Sequence, residues 1–237
     1  MNAPCRPSRV VVLAIVVAGG ITTPALAQPP IVNAHIERRS VAGRLEADVQ
    51  AIAARGTPLW IAYRVPMIAE RYLGSPDVAL DGHCCVCRLE GGAGVILTDR
   101  EPRGLRLTVE PPTELLVFAR AESGRIVRLR TLTPDCEIDG GGVPLIWLDG
   151  VGADDSVAWL TSLARSSAGD KSSRADDRIA RSALIAIALH STGTAAPQLI
   201  ELARTRESPK IRRQAMIALG LSKDPRAFTF FEEILKR

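Results

Sequence analysis

Aromatic residues make up only 4% of this 237-residue chain. Its interior therefore has to be filled by Ala, Val, Leu and Ile, a composition that suits closely packed helices. Beyond the N-terminal region no stretch reaches the ~18–20 apolar residues of a membrane helix, which excludes a polytopic membrane protein. Neither sign of charge dominates: 30 Lys and Arg stand against 26 Asp and Glu. With 24% charged and 46% hydrophobic residues, wholesale disorder is excluded as well. Lysine is absent from Gln28 to Gly152. There is no G-x-S-x-G for a serine hydrolase. Gly91-Gly-Ala-Gly94 lacks the Lys-Ser/Thr ending of a phosphate loop and reads as a turn. Arg88 stands where a C-x-x-C-H haem motif needs histidine.

What is present begins with an export pattern. Arg6 and Arg9 precede the apolar run Val10–Ala18, Gly19, Gly20 and Pro24 break it, and Ala25-Leu26-Ala27 supplies the small residues of a cleavage site. Charge, short apolar core and A-x-A make a secretory signal. The expected organisation is a signal peptide over 1–27, a β-rich domain over 28–152 and a helical region over 153–237. Arg6 and Arg9 would leave with the signal, so no polyanionic partner, nucleic acid included, follows from the residual charge. The mature protein is expected in the periplasm or outside the cell, without a stable membrane span.

The first part reads as strands: Leu59–Val65 between Pro58 and Pro66, Leu105–Val109, Leu115–Arg120, Ile126–Thr131 and Val143–Leu148. Leu45, Ala47, Val49 and Ala51 alternate with polar residues and read as a further strand. A helix is the competing reading there, because Ala and Glu form helices well. The sum is a small, mostly antiparallel β domain.

The second part repeats. Ile179, Arg181, Ala183, Ala186, Ile187 and Leu189 recur 32 residues later as Ile211, Arg213, Ala215, Ala218, Leu219 and Leu221. A fixed period of this size means stacked supersecondary units, here two helices each. Ser208 and Asp224 are N-cap candidates, each followed by a proline at the first helical position. Gly193 and Gly220 are expected near helix ends in left-handed conformation. Asp155–Arg165 reads as the second helix of an earlier, divergent unit.

Ile211-Arg-Arg-Gln-Ala-Met-Ile-Ala-Leu-Gly220 with Asp224-Pro-Arg-Ala227 resembles the short bacterial HEAT repeat, also catalogued as phycobilin-lyase-like. The preceding unit departs from the pattern, with Ala180 in place of Arg and Ala188 in place of Gly. The resemblance covers about the last 85 residues and implies an α+β fold in which a short α-solenoid follows the β domain. It implies an interaction scaffold and selects no lyase activity. More loosely, Trp60–Pro66 and Asp135–Gly141 resemble secreted bacterial proteins that place a β domain before such repeats.

Chemistry-bearing clusters are few. His83, Cys84, Cys85 and Cys87, with Cys136, form the dense one. Zinc can take such ligands, but export favours disulfides over thiolate metal sites. Geometry disfavours bonds between neighbours, which leaves 84–87 with 85–136, or a single bridge to Cys136 with two thiols unpaired. A redox or metal-binding role for the cluster is the alternative function. Thiol-protease chemistry would draw on His35, His83 or His190, but no protease signature surrounds the cysteines. Asp135, Glu137 and Asp139 alternate on one strand face and read as solvated, with Cys136 and Ile138 inward. Arg178, Arg181, Arg212 and Arg213 read as solvated helix faces or partners of Asp176 and Asp177.

No catalytic residue, cofactor or resident metal is expected. The leading reading is a non-catalytic, exported module for an unidentified protein partner; a structural part of an envelope assembly is a further one. Three of the four phenylalanines lie on the last helix. Phe230, Ile234, Ala227, Phe231, Leu235 and Phe228 sweep an arc of about 160°. Phe228, at its edge, is the candidate interface residue for a partner or for self-association, and Phe231 is expected to pack inward.

Overall fold

The computed structural model describes residues 31–68, 86–90, 112–134, 137–167, 172–205 and 208–236, with the side chains of Val86 and Cys87 left out. Among them the elements run β1 (Ile31–Val32), β2 (Ile36–Ser40), α1 (Leu45–Ala53), β3 (Leu59–Pro66), β4 (Val86–Arg88), β5 (Glu114–Glu122), β6 (Arg125–Leu132), β7 (Glu137–Asp139) and β8 (Leu145–Asp149). Five helices follow: α2 (Ala153–Ser166), α3 (Arg174–Leu189), α4 (Ala195–Arg204), α5 (Pro209–Leu221) and α6 (Pro225–Leu235). This is an α+β fold, a small sheet region followed by helices that pair as HEAT-like hairpins.

The main sheet has the order β2-β8-β3-β5-β6. It is mixed: β3, β5 and β6 are antiparallel neighbours, whereas β8 lies parallel to both β2 and β3. The departure from a mostly antiparallel sheet arises where non-consecutive strands meet at β8, an arrangement that local patterning does not encode. A second sheet, β1-β7-β4, is parallel throughout.

Both faces of the main sheet are buried at its central strands β8, β3 and β5, and side chains divide between them with period two. Ile61, Tyr63 and Val65 of β3, Leu115, Val117 and Ala119 of β5, and Ile146 and Leu148 of β8 join one core with α1 to α6. Trp60, Ala62, Leu116, Phe118, Leu145 and Trp147 point the other way and pack with Leu89 and Ile138 beneath the small sheet. Burial on both sides makes Leu59–Val65 a nearly continuous apolar run. The helix-side core extends without a break from Leu45 to Phe230.

Leu45–Ala53 is a helix, not the strand that its alternation suggested. Leu45, Val49, Ile52 and Ala53 are its buried residues, spaced i, i+4, i+7 and i+8 as one helix face requires. The stretch 105–109 lies outside the described residues.

Helix starts follow the capping chemistry. Ser173 and Asp176 form a reciprocal capping box on α3. The Ser208 hydroxyl accepts from the Ile211 N–H, and the Asp224 carboxylate from the Arg226 N–H at 2.8 Å. The glycine expectation needs correction. Gly220 lies within α5, and the left-handed residue in the following turn is Lys223, at φ 53°.

The expected disulfide staple also needs correction. Among the described residues no Cys–Cys pairing is found; Cys87 lies in β4, and Cys84, Cys85 and Cys136 lie outside the described residues. β4 is held instead by its ladder to β7, with Cys87 opposite Ile138. The Leu89 N–H extends that ladder by donating to the Asp139 carbonyl at 2.9 Å.

Candidate functional site

The helical region is built so that each hairpin covers the one before it. The hairpin of α3 and α4 is buried on one side by α2 and the sheet, and on the other by α5 and α6. Two exposed ion pairs tie the second helices together. Arg165 of α2 meets Glu201 of α4 at 2.6 Å, and Arg204 of α4 meets Glu233 of α6 at 2.9 Å. Each arginine comes from the last turn of its helix, where a cation also answers the helix dipole. The Arg204 guanidinium lies 5.3 Å above the Phe230 ring.

Shallow grooves run beside these pairs. One of about 590 Å³ lies between α2 and α4, lined by Asp154, Thr161, Arg165 and Gln198 among others. The next, of about 520 Å³, lies between α4 and α6, lined by Ile200, Arg204, Arg226 and Phe230 among others.

Phe228 is 69% exposed and Leu235 85% exposed. Phe231 is half-buried against the core, and Phe230 is the buried phenylalanine. Phe230 is thus the fully buried ring of α6, and Phe231 packs against the same core while staying partly exposed. The repeat offset of 32 shows what this face is. Phe228, Phe231 and Leu235 correspond to Ala196, Leu199 and Ala203 of α4. Those three are buried to 2% or less, in the hairpin that α5 and α6 pack against. The same positions on α6 carry large apolar side chains, of which Phe228 and Leu235 are exposed and Phe231 is half-buried. Ile217 of α5, 60% exposed, adds to the apolar surface of this last hairpin.

A second arrangement lies at the junction of sheet and helices. Tyr63 of β3, Ser156 of α2 and His190, which caps α3, are all buried to 2% or less. The Tyr63 hydroxyl lies 2.8 Å from Ser156 Oγ, and Ser156 Oγ lies 2.9 Å from His190 Nε2. His190 Nδ1 lies 2.7 Å from the Ala186 carbonyl. A carbonyl only accepts, so Nδ1 carries the proton and Nε2 presents its lone pair. The order is then fixed: Tyr63 O–H donates to Ser156, Ser156 O–H donates to Nε2, and Nδ1–H donates to Ala186. Burial holds the His190 pKa at about 4 and pushes the Tyr63 phenol up. The Ser–His pair is too enclosed to reach a substrate. Nothing in the linear sequence signals it, because the three residues come from separate elements.

The remaining candidates are placed as follows. His83, Cys84, Cys85, Cys136 and Asp135 lie outside the described residues. Among the described residues no group of three or more His, Cys, Asp or Glu is gathered as a metal site. Asp139 Oδ1 accepts from Asn33 at 3.0 Å and from the Gly141 N–H at 2.8 Å, a turn anchor. Arg178, Arg181, Arg212 and Arg213 are exposed. The partner of Asp177 is Lys210, at 3.1 Å. Among the described residues no helix is long and apolar enough to cross a membrane.

Residues 169–237 match the family described as HEAT repeats. No curated protein and no solved structure matches the chain. HEAT architecture is in general that of a protein–protein interaction scaffold.

Proposed function

We propose that the protein is an exported, non-catalytic scaffold that engages a protein partner through the exposed apolar face of α6. The observation that carries this reading is the α6 face. Contiguous exposed apolar surface marks interaction sites, and the α6 face presents Phe228 and Leu235 at 69% and 85% exposure. Aromatic residues, phenylalanine included, are enriched at the centre of protein interfaces. The export pattern of residues 1–27 and the looser resemblance to secreted bacterial HEAT proteins support placement in the periplasm or outside the cell.

Two measurements test the proposal. N-terminal mass analysis of the exported protein is expected to begin at Gln28; a product that keeps Val10–Ala18 would overturn the export reading. Sedimentation and capture from envelope extracts are expected to show an association that Phe228→Ser weakens, with the unfolding transition unchanged. Association that survives both Phe228→Ser and Leu235→Ser would move the interface elsewhere.

A further inference from the structure

The enclosed chain Tyr63–Ser156–His190 has a feature that its role as packing does not require. It joins three elements through two links, Tyr63 to Ser156 and Ser156 to His190. With His190 neutral, two protons fill the two links. Proton uptake at Nε2 adds a third proton, and no third link is there to take it among the described residues. One of the three must find an acceptor outside the chain or stay unpaired in a fully buried site, which is unfavourable.

The surroundings do not offset this. Among the described residues, Ser156 and Asp154 of α2 and the Ala186 carbonyl of α3 itself act on His190, and Tyr63 of β3 is linked to it through Ser156. Among the described residues Asp154 is the one charged group acting on the ring. It is solvent-exposed and already takes the Thr192 and Thr194 hydroxyls. The same place is a mechanical junction. Met67 and His190 form an isolated antiparallel bridge. The Ile68 N–H donates to the Leu189 carbonyl and the Ser191 N–H to the Pro66 carbonyl, each at 3.0 Å. The end of β3 is thus stitched to the C-terminus of α3 right beside the buried ring.

We propose that Tyr63–Ser156–His190 is an acid-sensitive latch, in which proton uptake at His190 breaks the chain and frees the end of α3 from β3. A histidine whose proton is disfavoured in the closed form binds it more readily when open. The latch is therefore fully closed above the ordinary histidine range and weakens as pH falls. Between an open-form pKa of 6.5 and a closed-form value of about 4, opening is expected to be about 30-fold more populated at pH 5 than at pH 8.

The experiment is an NMR titration of the full mature chain, following the His190 ring and the exchange of the Ile68 and Ser191 amides, corrected for intrinsic exchange. The expected result is a ring that titrates far below 6.5 in the closed form, with both amides losing protection on acidification while amides in the middle of β5 keep theirs. His190→Gln keeps an acceptor and cannot titrate, and is expected to flatten the response. A ring that titrates near 6.5 with the two amides unmoved would overturn the proposal. So would an unchanged acid response in His190→Gln. If that variant does not fold, the wild-type titration decides alone.

Discussion

Removing the middle of a hydrogen-bond chain should cost more than removing its end. Ser156 is the middle here. Ser156→Ala leaves the Tyr63 O–H without its acceptor and His190 Nε2 without its donor, both in a site buried to 2% exposure or less. Each stranded group costs about 1–3 kcal/mol, so the loss should be about 2–6 kcal/mol. Tyr63→Phe removes only the terminal donor. Ser156 still donates to His190, no donor is stranded, and the loss should be about 0.5–1.5 kcal/mol. In Tyr63→Phe/Ser156→Ala the stranded phenol is gone, so the double variant should be less destabilised than the sum of the singles, by about 1–3 kcal/mol. The assay is urea denaturation at pH 8, where His190 is neutral whether folded or unfolded. Trp159, edge-on to Tyr63 at 5.9 Å, offers a fluorescence signal. Equal losses in the two single variants, or strict additivity in the double, would refute the proton order deduced from the Ala186 carbonyl.

Phe230→Ala should cost about 3–5 kcal/mol through the cavity it leaves, and Phe228→Ala should change stability by no more than about 0.5 kcal/mol; chemical denaturation of the pair checks both. Gly141→Ala should destabilise by at least about 1–2 kcal/mol, because Gly141 sits at φ +68° and a Cβ there would come within 2.6 Å of the Glu90 side chain. Glu90 also receives the Trp60 indole and Arg120, so the tryptophan emission should shift with it. Asp224→Ala should cost about 0.5–2 kcal/mol by removing the α6 cap, read as a lowered thermal midpoint. Sheet and helices share one core, so near-ultraviolet dichroism and fluorescence should report a single coincident unfolding transition; two separated transitions would mean that the halves fold apart.

Local signals in the chain reached far into this fold. The 32-residue offset, Ser208-Pro209 and Asp224-Pro225 located the helical hairpins, because capping and apolar period are properties of a few consecutive residues. The run Leu59–Val65 was legible as a strand for the same reason. Leu45–Ala53 was not. Its apolar residues fit period two and period 3.6 alike, and the choice fell to the helix whose one face meets the shared core. The cysteine cluster suggested a staple, but a thiol pattern states which bonds are conceivable, not which are made.

Position along the chain, then, determined the caps, the repeat and the apolar stripe that holds Phe228. Only the tertiary structure decided which way the α6 arc turns, placing Phe230 inside and Phe228 out. It alone set β8 parallel between β2 and β3. It alone brought Tyr63, Ser156 and His190, residues 93 and 34 positions apart, into one proton-ordered chain. The physical reason is the same in each case. Burial and hydrogen-bond partnership across elements depend on which surfaces meet, and surfaces that are distant in sequence carry no mark of each other until the chain has folded.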